Sequence, residues 1–197
     1  MPSSQISQIS TIMEIVLATR PQSVLDVGVG FGKYGFLCRE YLELWDGRDR
    51  YGDWQRRIDG IEAFEQYLTP VHEHIYDNIY VGDALSLLPG LDTHYDLILL
   101  IDVIEHFTLD DGRALLAECA RKANACLVST PLAASAQAEA FGNQYEVHRS
   151  QWTGRHFDDY ANKVFIPNAR SLVCYLRFDG ARVQARTAPA AAPDAQR

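Results

Sequence analysis

The chain has 197 residues, a formal net charge of −8, 47% hydrophobic and 22% charged residues. This balance is that of a globular protein, and the length suits one domain with a core that needs no covalent staples. The acidic excess disfavours a surface that tracks phosphates, so nucleic acid is not an expected partner.

The four cysteines, Cys38, Cys119, Cys126 and Cys174, are dispersed and form no CxxC pair. Their spacing argues against a zinc ribbon and gives no disulfide framework. No apolar run approaches the roughly 20 residues of a membrane span. Near the N-terminus Ile6, Ile9 and Ile12 alternate with Ser and Gln, unlike a basic-then-apolar leader. The expectation is a cytoplasmic protein with no membrane partner.

Ile6, Ile9, Met13, Val16 and Leu17 fall at helical spacing and predict an amphipathic helix ending near Arg20-Pro21. Ser23 to Val27 reads as a short buried strand, broken by Gly28-Val29-Gly30-Phe31-Gly32. Tyr34, Leu37, Tyr41 and Leu44 resume a helix. Residues 46–57 are charged and read as an exposed insertion. Ile58–Ile61 and Asn78–Val81 are strands closed by Glu62 and by Gly82-Asp83. Tyr95–Ile101 is the strongest strand, apolar on both faces as a central parallel strand is, and it ends at Asp102. Thr108 followed by Asp111 marks a helix start, and Leu115, Leu116 and Cys119 give that helix a buried stripe. Ala125–Ser129 is a fifth strand. Lys163–Pro167 and Leu172–Phe178 read as a closing hairpin. From Ala188 the chain is rich in Ala and Pro, so residues 1–180 are expected to fold as one domain and 181–197 to form a disordered tail.

Strands alternating with helices imply a mostly parallel sheet covered on both faces, with an antiparallel last strand. Ligands bind such sheets beyond the carboxyl ends of the strands. Four of those ends carry acids: Asp26, Glu62, Asp83 and Asp102. A dinucleotide fingerprint would be G-x-G-x-x-G, but here Lys33 stands where its third glycine belongs. Asp26 beside the glycines is also poorly suited to a pyrophosphate. A cationic ligand without phosphate suits this acidic rim.

Val24-Leu25-Asp26-Val27-Gly28-Val29-Gly30-Phe31-Gly32 resembles the first motif of class I S-adenosylmethionine-dependent methyltransferases. Asp59-Gly60-Ile61-Glu62, Val81-Gly82-Asp83-Ala84 and Tyr95 through His106 resemble the second, third and fourth, in order, across residues 22–131. The resemblance implies a Rossmann-like α/β fold with S-adenosyl-L-methionine as cofactor. It implies that the Gly28, Gly30 and Gly32 backbone passes under the methionine and ribose. Asp26 would orient the α-amino group, directly or through water. Glu62 would accept the ribose hydroxyls, with Glu65 as the fallback because the insertion lengthens the spacing. Asp83 and the Ala84 N–H would take the adenine, and Asp102 would flank the methionine end.

Methyl transfer from a sulfonium gains much from alignment alone, and a general base matters only where the nucleophile must lose a proton. Glu105, His106 and His148 are the expected catalytic residues. Asp102, Glu105 and His106 stand at i, i+3 and i+4, so a helical turn would put them on one face with His148 closing the set. Two carboxylates and two imidazoles suit a divalent cation, and the pattern is similar to the metal site of small-RNA 2′-O-methyltransferases. The alternative is a hydrogen-bonded cluster, and the expected site counts no metal. Phe31, Tyr34, Trp54, Tyr145 and Trp152 are candidate walls for the acceptor. The expected reaction is methylation of O or N on a small metabolite or sugar. A cofactor-binding scaffold and an aminopropyltransferase are the rival readings.

Overall fold

The structure, a computed structural model, describes residues 4–44, 51–133 and 137–178. Seven strands make one sheet: β1 (Ser23–Val27), β2 (Arg57–Glu62), β3 (Asn78–Val81), β4 (Leu97–Ile101), β5 (Ala125–Pro131), β6 (Lys163–Ile166) and β7 (Ser171–Arg177). Their spatial order is β3-β2-β1-β4-β5-β7-β6. The first five are parallel; β7 runs antiparallel to β5, and β6 antiparallel to β7, completing the expected hairpin. The helices are α1 (Ile9–Thr19), α2 (Lys33–Glu43), α3 (Pro70–Ile75), α4 (Ala84–Leu87) and α5 (Leu109–Lys122). None of the described helices is long and apolar enough to cross a membrane.

β4 explains its own unbroken apolar run. Leu97, Leu99 and Ile101 face a core shared with Ile12, Met13 and Val16 of α1. Ile98 and Leu100 face the opposite core, with Leu115, Leu116 and Cys119 of α5. Side chains alternate along a strand, so a strand covered on both faces must be apolar at every position. Each fully buried side chain of this size is worth about 1.5–3 kcal/mol. Thr108 caps α5 as expected, its hydroxyl accepting from the Asp111 N–H at 3.2 Å.

The chain winds outward from β1 to β3 and then crosses back to place β4 against the other side of β1. The direction of winding therefore reverses between β1 and β4, which opens a crevice at their carboxyl ends.

One expectation is corrected. The N-terminal stripe is displaced: Ile6 is 85% exposed, whereas Gln8 is fully buried beside Ile12, Met13 and Val16. Residues 6–8 form a 3-10 turn rather than the first turn of α1, which changes the face each presents. The charged insertion is exposed at Tyr51, Gly52, Asp53 and Gln55, as expected, and its end is tied to α2. Glu43 of α2 accepts from the N–H groups of Arg56 at 2.6 Å and Gln55 at 3.1 Å, and the Arg39 guanidinium donates to the Arg56 carbonyl at 2.7 Å. Residues 45–50 and the tail 181–197 lie outside the described residues.

Candidate functional site

A cavity of about 1080 Å³ opens at the carboxyl ends of β1 and β4. Its floor is the loop after β1. Gly28 has φ +72°, and a Cβ there would come within 2.7 Å of the Val103 side chain. Gly32 has φ +86°, and its Cβ would meet Ile75 at 3.0 Å. Glycine alone tolerates both the left-handed backbone and the close approach. The loop is further held by His72, whose Nε2 lies 2.9 Å from the Gly30 carbonyl.

Glu62, at the end of β2, lines the cavity and is buried. One carboxylate oxygen accepts from the Gly30 N–H at 3.0 Å and the other from the Phe64 N–H at 2.9 Å. Burial raises its pKa, partly opposed by those two bonds. Asp83 also lines the cavity and caps α4, its Oδ1 accepting from the N–H groups of Leu85 at 2.9 Å and Ser86 at 3.3 Å. Ala84 follows it in the wall.

Asp26 stands one layer behind. It is 2% exposed, is not among the cavity-lining residues, and accepts from the Tyr76 hydroxyl at 2.7 Å. Burial pushes its carboxyl up to about 7, against the lowering effect of the Tyr76 bond. The hydrogen bond joins β1 to Tyr76, just after α3.

Asp102 lines the cavity at the end of β4 with φ +54°, its N–H donating to the Ser129 carbonyl at 2.7 Å. Its Oδ2 accepts from the Gln8 side-chain amide at 2.6 Å, and its Oδ1 is buried with no hydrogen-bond partner among the described residues. Burial raises its pKa, and the Gln8 bond opposes that shift. The left-handed residue breaks the helical spacing assumed for Asp102, Glu105 and His106. Only the last two lie on a helical turn, the 3-10 segment Ile104–His106.

His148 nevertheless joins that turn. The Glu105 carbonyl accepts from the N–H groups of Arg149 at 2.8 Å and Ser150 at 3.1 Å, pinning the late loop against it. Glu105, His106 and His148 thereby offer one ligand atom each, all within 4.8 Å of one another, a set that excludes Asp102. Both Glu105 oxygens are buried without a hydrogen-bond partner among the described residues. Burial pushes Glu105 up to about 8, with the charge of Asp102 adding to the effect. Burial pulls His106 down to about 4; the Val147 carbonyl opposes this and His148 adds to it. The His106 Nδ1 lies 3.3 Å from that carbonyl. A carbonyl only accepts, so Nδ1 carries the proton and Nε2 keeps its lone pair.

Phe31, Tyr34 and Tyr145 line the cavity. Trp54 does not, stacking instead under Arg39 at 5.5 Å, and Trp152 is core against α5. Two wall residues, Tyr67 and Glu146, and the buried Gln8 behind the wall are not among the expected site residues. Glu146 accepts from the Tyr67 hydroxyl at 3.2 Å, and Gln8 reaches Asp102 from the N-terminal turn.

A family model described as a methyltransferase domain matches residues 25–124. No curated protein matches the chain. Among solved structures, the N-terminal domain of EvdMO1, obtained with SAH and D-fucose, is 16% identical with a TM-score of 0.58, covering 89% of this chain and 84% of that one. An O-methyltransferase family protein from Burkholderia thailandensis is 15% identical with a TM-score of 0.55, covering 89% of this chain and 58% of that one. A SAM-dependent methyltransferase from Archaeoglobus fulgidus is 21% identical with a TM-score of 0.49 over 63% of this chain, which spans 51% of that protein's length.

Proposed function

The chain belongs to the methyltransferase-domain family, as a class I S-adenosylmethionine-dependent enzyme, and from that premise we propose that it methylates an oxygen or nitrogen of a small-molecule acceptor. One observation carries this: the glycine loop, Glu62, Asp83-Ala84 and Asp102 line the same cavity as Glu105, His106 and His148. Ligand pockets commonly run about 300–1,000 Å³, so a cavity of about 1080 Å³ has room for the cofactor and a small acceptor together. The EvdMO1 domain structure obtained in the presence of SAH and D-fucose supports a sugar-sized acceptor.

The donor set fits the cofactor. Glu62 holds its two oxygens in place through Gly30 and Phe64 and keeps lone pairs for a ribose diol. Asp83 and the Ala84 N–H offer an acceptor and a donor to an adenine edge. When bound, S-adenosylmethionine supplies a methyl on a cationic sulfur. The neutral His106, with its Nε2 lone pair, can take a proton from an acceptor hydroxyl. Phe31 and Tyr145 line the same cavity and offer aromatic faces to an acceptor.

The orphaned Glu105 carboxylate supports a second reading, a metal-assisted O-methyltransferase. One carboxylate and two imidazoles within 4.8 Å suit a divalent cation with open positions for substrate oxygen. Glu105, His106 and His148 would hold it, and it would lower the pKa of a bound hydroxyl.

A labelled-methyl assay over metabolite and sugar pools, run with and without a strong chelator, tests both readings. Cofactor-dependent labelling of a small molecule is expected. Labelling that survives the chelator removes the metal. Affinity for the cofactor with no labelled product in any pool leaves a scaffold.

A further inference from the structure

We propose that the methyl acceptor is an anion, carrying a carboxylate or a phosphate, and that Arg149 and Arg170 read its charge. The proposal rests on the small-molecule methyltransferase reading of the cavity and names the class of acceptor within it.

Both arginines line the cavity and are exposed. They come from different segments, Arg149 from the loop after β5 and Arg170 from just before β7. Three hydrogen bonds tie these segments to one stretch of wall. The Arg149 N–H donates to the Glu105 carbonyl at 2.8 Å. Two residues on, the Gln151 side-chain amide donates to the Leu132 carbonyl at 3.2 Å. The Leu132 N–H in turn donates to the Arg170 carbonyl at 2.9 Å. The Arg170 N–H is held as well, donating to Asn168 Oδ1 at 3.1 Å. Both backbones are fixed, while no carboxylate among the described residues pairs with either guanidinium.

The chain holds 26 acids against 18 Lys and Arg, so a carboxylate is seldom far away. Arg39, Arg57, Arg113 and Arg121 are all paired with one. The acids of the cavity wall are engaged elsewhere. Backbone N–H groups hold Glu62 and Asp83, Gln8 holds Asp102, and Thr108 holds Asp111. Glu146 takes the Tyr67 hydroxyl and the Gln137 amide, and Glu105 is buried beside the two histidines. Two cationic forks are therefore left to a ligand, and a guanidinium matches a carboxylate or a phosphate with two parallel N–H bonds. A chain of net charge −8 repels an anion at long range, so local cations are what let one approach. Arg149 directly follows His148, whose ring meets that of His106. An anion held on Arg149 thus sets the rest of the acceptor beside the histidine pair, where a hydroxyl can lose its proton.

The full chain, incubated with methyl-labelled cofactor and a small-molecule extract, tests this when the products are separated by electrophoresis at neutral pH. The labelled product is expected to migrate to the anode, away from the cationic cofactor. Phosphodiesterase and phosphatase that abolish this migration identify a phosphate, and migration that survives them identifies a carboxylate. Arg149→Ala and Arg170→Ala are each expected to raise the half-saturating amount of the active extract by about fivefold, with S-adenosylhomocysteine affinity in calorimetry within about twofold. Arg→Lys at each position should recover part of the loss. A labelled product that stays at the origin or moves to the cathode overturns the proposal. So do alanine variants that saturate like the wild type, or that lose S-adenosylhomocysteine to the same degree as the acceptor, which is a structural role. A wild-type protein that binds S-adenosylhomocysteine but labels no small molecule overturns the small-molecule reading itself, a result distinct from all of these.

Discussion

The imidazoles of His106 and His148 meet edge to face with ring centroids 4.9 Å apart. The contact is made by backbone: the Glu105 carbonyl takes the N–H groups of both Arg149 and Ser150, so the loop after β5 is stitched to the turn after β4. Two groups able to take a proton or a metal are thus held together in the cavity wall. His106→Ala should lower kcat by about a hundredfold, the low end of what a positioned base contributes. S-adenosylhomocysteine affinity should stay unchanged in calorimetry, because the His106 ring bonds the Val147 carbonyl and not the glycine loop.

Glu62 joins two elements through one carboxylate. Glu62→Ala should weaken S-adenosylhomocysteine by about tenfold or more, since it removes charge-assisted bonds worth about 1.5–3 kcal/mol. It also releases the Gly30 and Phe64 N–H groups. Unchanged affinity in a titration would place the ribose elsewhere.

Gly28 leaves no room for a side chain. Gly28→Ala would put a Cβ 2.7 Å from Val103 on a backbone at φ +72°. The loop must shift, and S-adenosylhomocysteine affinity should fall by more than an order of magnitude. The double variant with Val103→Ala should recover only part of that loss, because the left-handed backbone remains strained for alanine. Both are read by calorimetry.

Asp26 makes stability depend on pH. Its carboxyl sits near 7 in the folded protein against 3.8 for the free group. A raised value means that the folded state binds the proton more tightly. The contribution is full below about 3.8 and is lost as pH rises through 7. Asp26→Asn keeps an acceptor for the Tyr76 hydroxyl and never ionises. Its Tm should exceed that of the wild type at pH 8, with the gap narrowing toward pH 5. Thermal unfolding at both pH values checks this, and about 2–4 °C is expected per kcal/mol in a chain of this size.

The alternation of strand and helix, the four strand-end acids and the unbroken run of β4 were all legible in the sequence, because each is a local pattern. A strand covered on both faces has to be apolar throughout, and a tight loop has to be glycine, whatever the rest of the chain does. The antiparallel hairpin of β6 and β7 was legible for the same reason.

What failed was the assumption that neighbours in sequence share a role. Asp102 was grouped with Glu105 and His106 by helical spacing, but its left-handed backbone turns it toward Gln8 instead. Asp26 carries the motif yet faces Tyr76, not the cavity. Gln8, which the helical spacing leaves unassigned, is fully buried beside Asp102. Such partnerships join residues far apart along the chain, and no spacing rule encodes them. The sequence by itself determined the sheet, its glycine loop and the acids at its rim. Only the tertiary structure decided which acids meet the cavity and which are sealed behind it, because packing around α1, α3 and the loop after β5 sets which carboxylates are screened by a neighbour and which are left open to a ligand.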